Sequence, residues 1–368
     1  MRRNFDRTFL ISTLLLVATG FLVFLSASLG LLAREDGANF TSVAISQAGL
    51  GILLGLGALI VTMKIPYRLW RKYAFYLFLL GLIVTALVFV PELGLRSGGA
   101  ARWLDFGIVS FQPAEFLKLG FVLYLGALLA GRGNRVADFR HGIVPFVVTA
   151  SLAGGLLLAQ PDTGTYMVLV AAGFAMLIAA GTRWRDLMLI ILVAMMLVAS
   201  LAYMRPYVKD RLTTFLHPAS DPLGAGYQIQ QSLIAVGSGG WSGRGFGQSV
   251  QKFKYLPEPV GDSIFAVAAE EFGFLGSVAL IILFLFLGLR GLTIAAHAPD
   301  AFGRLVVVGL VILIVSQSFI NIASMLGVLP LTGLPMLFVS HGGTAMLFAL
   351  AEIGIILNVS RYHKTLTG

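Results

Sequence analysis

The chain alternates long apolar blocks with short polar interruptions. The first block, "TFLISTLLLVATGFLVFLSASLGLL", is followed by similar runs all the way to the C-terminus. Apolar runs of about 18 or more residues have the length a helix needs to cross a bilayer. The pattern predicts ten such helices, at roughly 8–33, 41–63, 73–91, 112–131, 142–160, 164–180, 187–204, 263–289, 305–329 and 342–360. The expected fold is an all-α polytopic membrane protein, a bundle of ten transmembrane helices forming one domain over residues 1–368. The first block is too long for a signal-peptide core and reads as a retained helix. Gly51 and Gly55 give the second helix a small-residue face for close packing.

Composition supports this and restricts the function. The chain is 58% hydrophobic and only 12% charged, with mean hydropathy +0.90. A net charge of +9 would suit a nucleic-acid binder, but the positions of the charges say otherwise. Lys and Arg gather in "MRRNFDR", "KIPYRLWRK", "GRGNRVADFRHG", "GTRWRD", Arg290, Arg304 and "RYHK". The alternate short loops hold little more than Arg34, Arg96 and Arg102. An excess of Lys and Arg marks cytoplasmic loops, so both termini are expected inside and no nucleic acid is implied. Loops 92–111 and 205–262 and the turns near Pro161 and Pro335 then face outward. Loop 205–262, between helices seven and eight, is the longest, and its aromatic residues suggest order and function. No cysteine exists to staple it.

Ionisable residues inside membrane spans are costly and suggest function. Here they are Glu115, Lys118, Asp162, Asp262, Glu270, Glu271 and Glu352. Glu115 and Lys118 are three apart, on one helix face, and can pair. That pair can tie helices together, serve a substrate, or do both. Asp162 in "AQPDTG" is either a turn-capping residue or a site residue. The cluster "GSGGWSGRGFG" fits neither nucleotide-binding spacing and lacks a strand-to-helix context, so close backbone packing is the better account. Zinc-ligand spacing and the G-x-S-x-G elbow are also missing. His341, in "FVSHGGTAM", is the one histidine at an external helix mouth.

Asp262 stands where "YLPEPVG" enters the eighth helix. Pro257 and Pro259 would stiffen an extended approach, and Gly261 would permit the turn. If Gly261 or Asp262 caps the helix, the N-terminus favours the ionised carboxylate. Partial burial would instead raise its pKa toward the range of a working general base. Glu270 lies about 12 Å deeper along the helix, and Glu271 points elsewhere, so a two-carboxylate glycosidase pair on this helix is excluded.

The segments "SGGAARWLDFGIVSFQPAEFLKL", "QPDTG", "YQIQQSLIAVGSGGWSGRGFGQSVQKFKYLPEPVGDSIFAVAAEEFGFLG" and "LTGLPMLFVSHGGTAMLFALAEIGIILNVSRY" closely resemble the SEDS proteins, the FtsW/RodA family, in order and over nearly the whole chain. "GFGQSVQKFKYLPE" looks closer to the division-type FtsW branch. The resemblance implies a peptidoglycan glycosyltransferase of the bacterial cytoplasmic membrane. Such an enzyme polymerises the disaccharide-pentapeptide carried on undecaprenyl pyrophosphate, lipid II. The implied partners are a class B penicillin-binding protein, met through its membrane helix, and other divisome or elongasome membrane proteins. The family's essential loop aspartate falls on Asp262, and other cavity residues fall on Arg102, Trp103, Glu115, Lys118 and Asp162. Ser340 and His341 stand in the mouth motif, where Ser340-His341-Gly342-Gly343-Thr344 departs from the family's usual S-Y-G-G-S.

On this reading Asp262 is the base. Lys118 and Arg102 answer the charge of the leaving pyrophosphate, and Trp103 stacks on a sugar. No tightly bound cofactor is implied; a divalent cation, Mg or Mn, is the one candidate addition. Two alternatives use the same helices: a lipid II flippase, and a scaffold for the penicillin-binding protein.

Overall fold

The computed structural model describes residues 4–32, 43–97, 100–105, 110–204, 206–218, 221 and 224–362. The long apolar runs become helices, because only hydrogen bonds made within the segment satisfy a backbone in lipid. They are α1 (Arg7–Leu32), α2 (Val43–Lys64), α3 (Tyr67–Phe89), α4 (Pro113–Ala130), α5 (Phe139–Ala159) and α6 (Thr163–Ala180). After them come α7 (Trp184–Met204), α8 (Pro206–Leu216), α9 (Ala225–Ser238) and α10 (Gln251–Lys254). The last three are α11 (Ile264–Ala296), α12 (Ala301–Met325) and α13 (Gly343–Ser360). Among the described residues, nine helices are long and apolar enough to span a membrane. The 21-residue α7 stands where the seventh span is expected, with most of its described residues exposed. The chain is an integral membrane protein of helical architecture.

Two loops carry more structure than the hydropathy suggests. Loop 92–111 holds an antiparallel sheet of β1 (Gly94–Ser97), β2 (Ala100–Asp105) and β3 (Ser110–Phe111). Leu95 pairs with Trp103 and Leu104 with Phe111. Strands this short give too few alternations for a period of two to register. The described residues of loop 205–262 include α8, α9 and α10. Arg34 lies outside the described residues.

α12 and α13 lie innermost with α4, and α2 packs along α13. Gly51 and Gly55 make that approach possible. A Cβ on Gly51 would sit 3.3 Å from Met346, and one on Gly55 2.7 Å from Leu350. Both chain termini meet at one end of the bundle: Asp6 N–H donates to Ser360 Oγ, and Asp6 pairs with Arg290 at 2.8 Å.

α11 is not continuous. Gly273 breaks it with φ 66° and ψ −162°. The glycine cluster fills the break. Arg244 and Gly245 N–H donate to the carbonyls of Glu270 and Glu271, and Phe274 N–H donates to Gly240. Gly243 has φ +79°, and a Cβ there would lie 2.1 Å from the Glu271 carbonyl oxygen, so no side chain fits. The two glutamates also serve this junction. Glu270 accepts from Ser249 Oγ and from the backbone of Val250 and Gln251, at the start of α10. Glu271 accepts from Ser26 Oγ and forms a fully buried 2.7 Å ion pair with Lys252. These carboxylates fasten loop to bundle.

Candidate functional site

The site is organised by residues 331–342, a buried, non-helical stretch between α12 and α13. Backbone that leaves helical geometry inside a membrane protein needs other hydrogen-bond partners. Three side-chain amides supply them. Gln47, on a π-helical stretch of α2, donates to the Ser340 carbonyl and accepts from Gly342 N–H at 3.0 Å. Gln317 donates to Pro335 O at 3.1 Å. Asn321 Nδ2 donates to Leu334 O and to the carbonyl of Asp262, both at 2.7 Å. His341 N–H donates to Val260 O at 2.7 Å. The mouth segment and the Asp262 turn are thus held as one unit.

Asp262 is not the cap of α11. The cap position is Ser263, which makes no side-chain capping bond. Asp262 Oδ1 instead accepts from Gln228 Nε2 of α9 at 3.0 Å, and the same amide reaches Ser263 Oγ at 3.0 Å. Burial pushes the Asp262 carboxyl up from 3.8 to about 6. The nearby Glu258 charge adds to the rise, while Gln228 opposes it. The turn differs from the sequence expectation: Glu258, between two prolines, takes the left-handed conformation at φ 45°, and Gly261 does not. The Glu258 carbonyl then accepts from Gly261 and Ser263 N–H.

His341 stacks on Phe24 at 6.4 Å between ring centroids. Burial lowers its pKa to about 4, so the ring is neutral near pH 7. Its Nε2 is buried without a hydrogen-bond partner. Ser340 has a different position: its Oγ accepts from Met336 N–H inside the mouth segment.

Glu115 and Lys118 pair at 2.8 Å, each side chain 3% exposed. Lys118 Nζ also donates to Gln317 Oε1 at 2.6 Å. The pair therefore acts on the mouth through Gln317 and Pro335. Glu352 of α13 joins this buried group, within the fields of Lys118 and Glu115. Asp162 caps α6: its carboxylate accepts from Thr165 N–H at 3.2 Å and from Thr165 Oγ1 at 2.8 Å. Arg102, half-buried on β2, donates to the carbonyls of Gln160 and Pro161. Trp103 follows on the same strand, half-exposed. Gly164 packs on Thr332 and Leu334, which closes the circuit from the Asp162 turn to Asn321 and Asp262.

Asp262, His341, Ser340, Lys118, Glu115, Asp162, Arg102 and Trp103 thus lie at one connected end of the bundle, whereas Glu270 and Glu271 are taken up by the loop junction. Asp262, His341, Arg102 and Trp103 remain accessible in part. Lys118, Glu115, Asp162 and Ser340 are buried against protein partners. A search confined to ionisable groups misses Gln47, Gln228, Gln317 and Asn321. Amides within apolar runs were the signal that could have found them. Among the described residues, no three His, Cys, Asp or Glu side chains gather as a metal site.

The chain matches the family model FtsW/RodA/SpoVE, described as cell cycle protein, over residues 6–365. It is 37% identical to the stage V sporulation protein E of Bacillus subtilis over 361 residues, 98% of each chain. It is 36% identical to a probable peptidoglycan glycosyltransferase FtsW of a Geobacter species, again over 98% of each. A chain from a peptidoglycan synthase complex that coordinates polymerization and crosslinking superposes with TM-score 0.80 at 28% identity, covering 97% of this chain and 98% of that one. The rod shape determining protein RodA of Thermus thermophilus gives TM-score 0.68 at 26% identity, over 98% of both.

Proposed function

This chain belongs to the FtsW/RodA/SpoVE family, and on that premise we propose that it is a peptidoglycan glycosyltransferase that polymerises lipid II at the mouth holding Asp262. The observation that carries the reading is the Asp262 carboxyl itself. It is freed from helix capping, oriented by Gln228 and raised to about 6, where a carboxylate is an effective base near neutral pH.

In the reaction, Asp262 takes the proton of an acceptor sugar hydroxyl as that oxygen bonds to the donor's anomeric carbon. The bond from this carbon to pyrophosphate breaks, and undecaprenyl pyrophosphate leaves with the electron pair. A single displacement inverts the anomeric centre. Arg102, partly exposed beside the Asp162 turn, answers the charge on the leaving group. Trp103 offers a stacking face, and the neutral, partly exposed His341 ring lines the mouth. Lys118 and Glu115 act by fixing Gln317 and Pro335, Asp162 by fixing the turn that Arg102 holds, and Ser340 by closing its own turn. The basic end of the bundle, with both termini, is cytoplasmic, and the Asp262 mouth faces outward. The partner is a class B penicillin-binding protein. Its membrane helix meets the exposed stripe of α11 around Ile282, Phe286 and Leu289, since α12 is largely interior. The flippase alternative loses a candidate carrier in Glu270, which is tied down by Ser249, two backbone N–H groups and Arg244.

The pH dependence tests the base. A carboxylate must be ionised to accept a proton, so kcat/KM for glycan synthesis is expected to fall about tenfold per unit below pH about 6. Gln228→Leu removes a donor to the ionised form and should move this limb upward. Glu258→Gln removes a like charge and should move it downward. A profile flat from pH 5 to 8, or limbs that ignore both substitutions, would take the role away from Asp262.

A further inference from the structure

The end of the bundle opposite Asp262 carries a cavity that the proposed reaction does not use. It measures about 320 Å³ and lies between α3, α4 and α5. Sites for small ligands begin near this size, about 300 Å³. Phe75, Leu79, Val148 and Leu152 line it and are each 42–53% exposed, so it opens sideways to lipid. Tyr124, stacked on Phe78 at 5.3 Å, helps to form the wall. The one charged group in the lining is Arg132. It follows the far end of α4, whose 18 residues rise about 27 Å from Pro113 beside the sheet.

The local sequence explains why Arg132 is held there. Pro145 lies inside α5 and has no N–H, which leaves the His141 carbonyl without its helical donor. Arg132 Nη1 fills that vacancy at 3.0 Å. A guanidinium carries five donors in a planar fork, so most of it stays available for a second acceptor. Arg183 reaches this end through Asp138, which it shares with His141 at 3.6 and 3.9 Å, and Arg135 and Arg140 adjoin Arg132 and His141 along the chain. The rim is therefore net positive and the channel behind it apolar. Basic pockets between membrane helices on the cytoplasmic side suit anionic lipid head groups.

We propose that this groove holds one anionic glycerophospholipid, its phosphate on Arg132 and an acyl chain along Phe75, Leu79, Val148 and Leu152. The site is independent of the glycosyl-transfer reading. It does not require that the chain act on lipid II. A groove merely filled by bulk lipid would show no preference between head groups, whereas the arginine rim requires a net negative one.

Native mass spectrometry of the full chain, delipidated and titrated with dioleoylphosphatidylglycerol or dioleoylphosphatidylcholine, tests the site. One phosphatidylglycerol is expected to bind at least tenfold more tightly than phosphatidylcholine. Arg132→Gln should abolish the preference. Val148→Trp fills the groove from a position 51% exposed, keeps every charge, and should abolish retention as well. This second variant decides the matter if Arg132→Gln fails to fold. Arg68→Gln changes an exposed arginine outside the groove and should bind as wild type. Equal retention of the two lipids would overturn the proposal. So would a loss in Arg68→Gln as large as in Arg132→Gln.

Discussion

Asp262→Asn is expected to lower glycan synthesis by about 10²–10⁴-fold, the usual contribution of a positioned base, while the protein remains folded. Asn keeps an oxygen to accept from Gln228, and the bond from Asn321 goes to the Asp262 backbone, which the substitution leaves in place. The sign of the stability effect follows from the raised pKa. The folded state binds the Asp262 proton more tightly than the unfolded chain, whose value is near 3.8, so the fold loses stability as pH rises from about 3.8 to about 6 and carries the full cost above that. A neutral amide removes that cost. Thermal stability at pH 7 should therefore be unchanged or higher in Asp262→Asn, with activity lost. Asp262→Glu should recover little, because a methylene displaces the carboxylate by about 1 Å, enough to spoil a near-attack geometry. Activity within a few-fold of wild type in the Asn variant would remove Asp262 from the chemistry.

The second large effect concerns Lys118. Removing it leaves Glu115 charged and buried without its partner, and Gln317 without the donor that fixes it. Breaking a buried ion pair from one side costs about 3–5 kcal/mol. Against a total stability of about 5–15 kcal/mol, Lys118→Met should lower the melting temperature sharply and reduce yield. The double variant Lys118→Met with Glu115→Gln removes both charges and should recover most of the stability. Since the pair is read as a brace for Pro335, activity should return with the fold. A double variant that is stable yet inactive would assign Lys118 to the pyrophosphate instead.

The spans were legible because twenty consecutive apolar residues are an unmistakable request for a helix in lipid. The break in α11 was not. "FAVAAEEFGFLG" reads as continuous helix, and one glycine in an apolar helix is ordinarily tolerated. Gly273 acquires its meaning from Gly243, brought against it by the fold. Glu270 and Glu271 drew attention as charges within a span. Their partners include Ser26, 245 residues away in the sequence, and no local pattern announces that contact. The turn before Asp262 failed in a more instructive way. An extended approach stiffened by Pro257 and Pro259 was expected, with Gly261 permitting the turn, yet Glu258 between the two prolines takes the left-handed conformation. Asp262 itself was readable, being a carboxylate at a loop-to-helix junction. Its orienting amide Gln228, 34 residues earlier, was not, nor were the three amides that shape the mouth.

The most direct measurement of the central claim is glycan synthesis by the purified chain in vesicles, with lipid II as the sole substrate and the class B penicillin-binding protein present in a form unable to crosslink. A ladder of glycan strands on a gel, present for wild type and absent for folded Asp262→Asn, is the predicted result. Labelled lipid II that crosses the bilayer while no strand forms with either protein would contradict it, and would make this mouth a passage for the lipid.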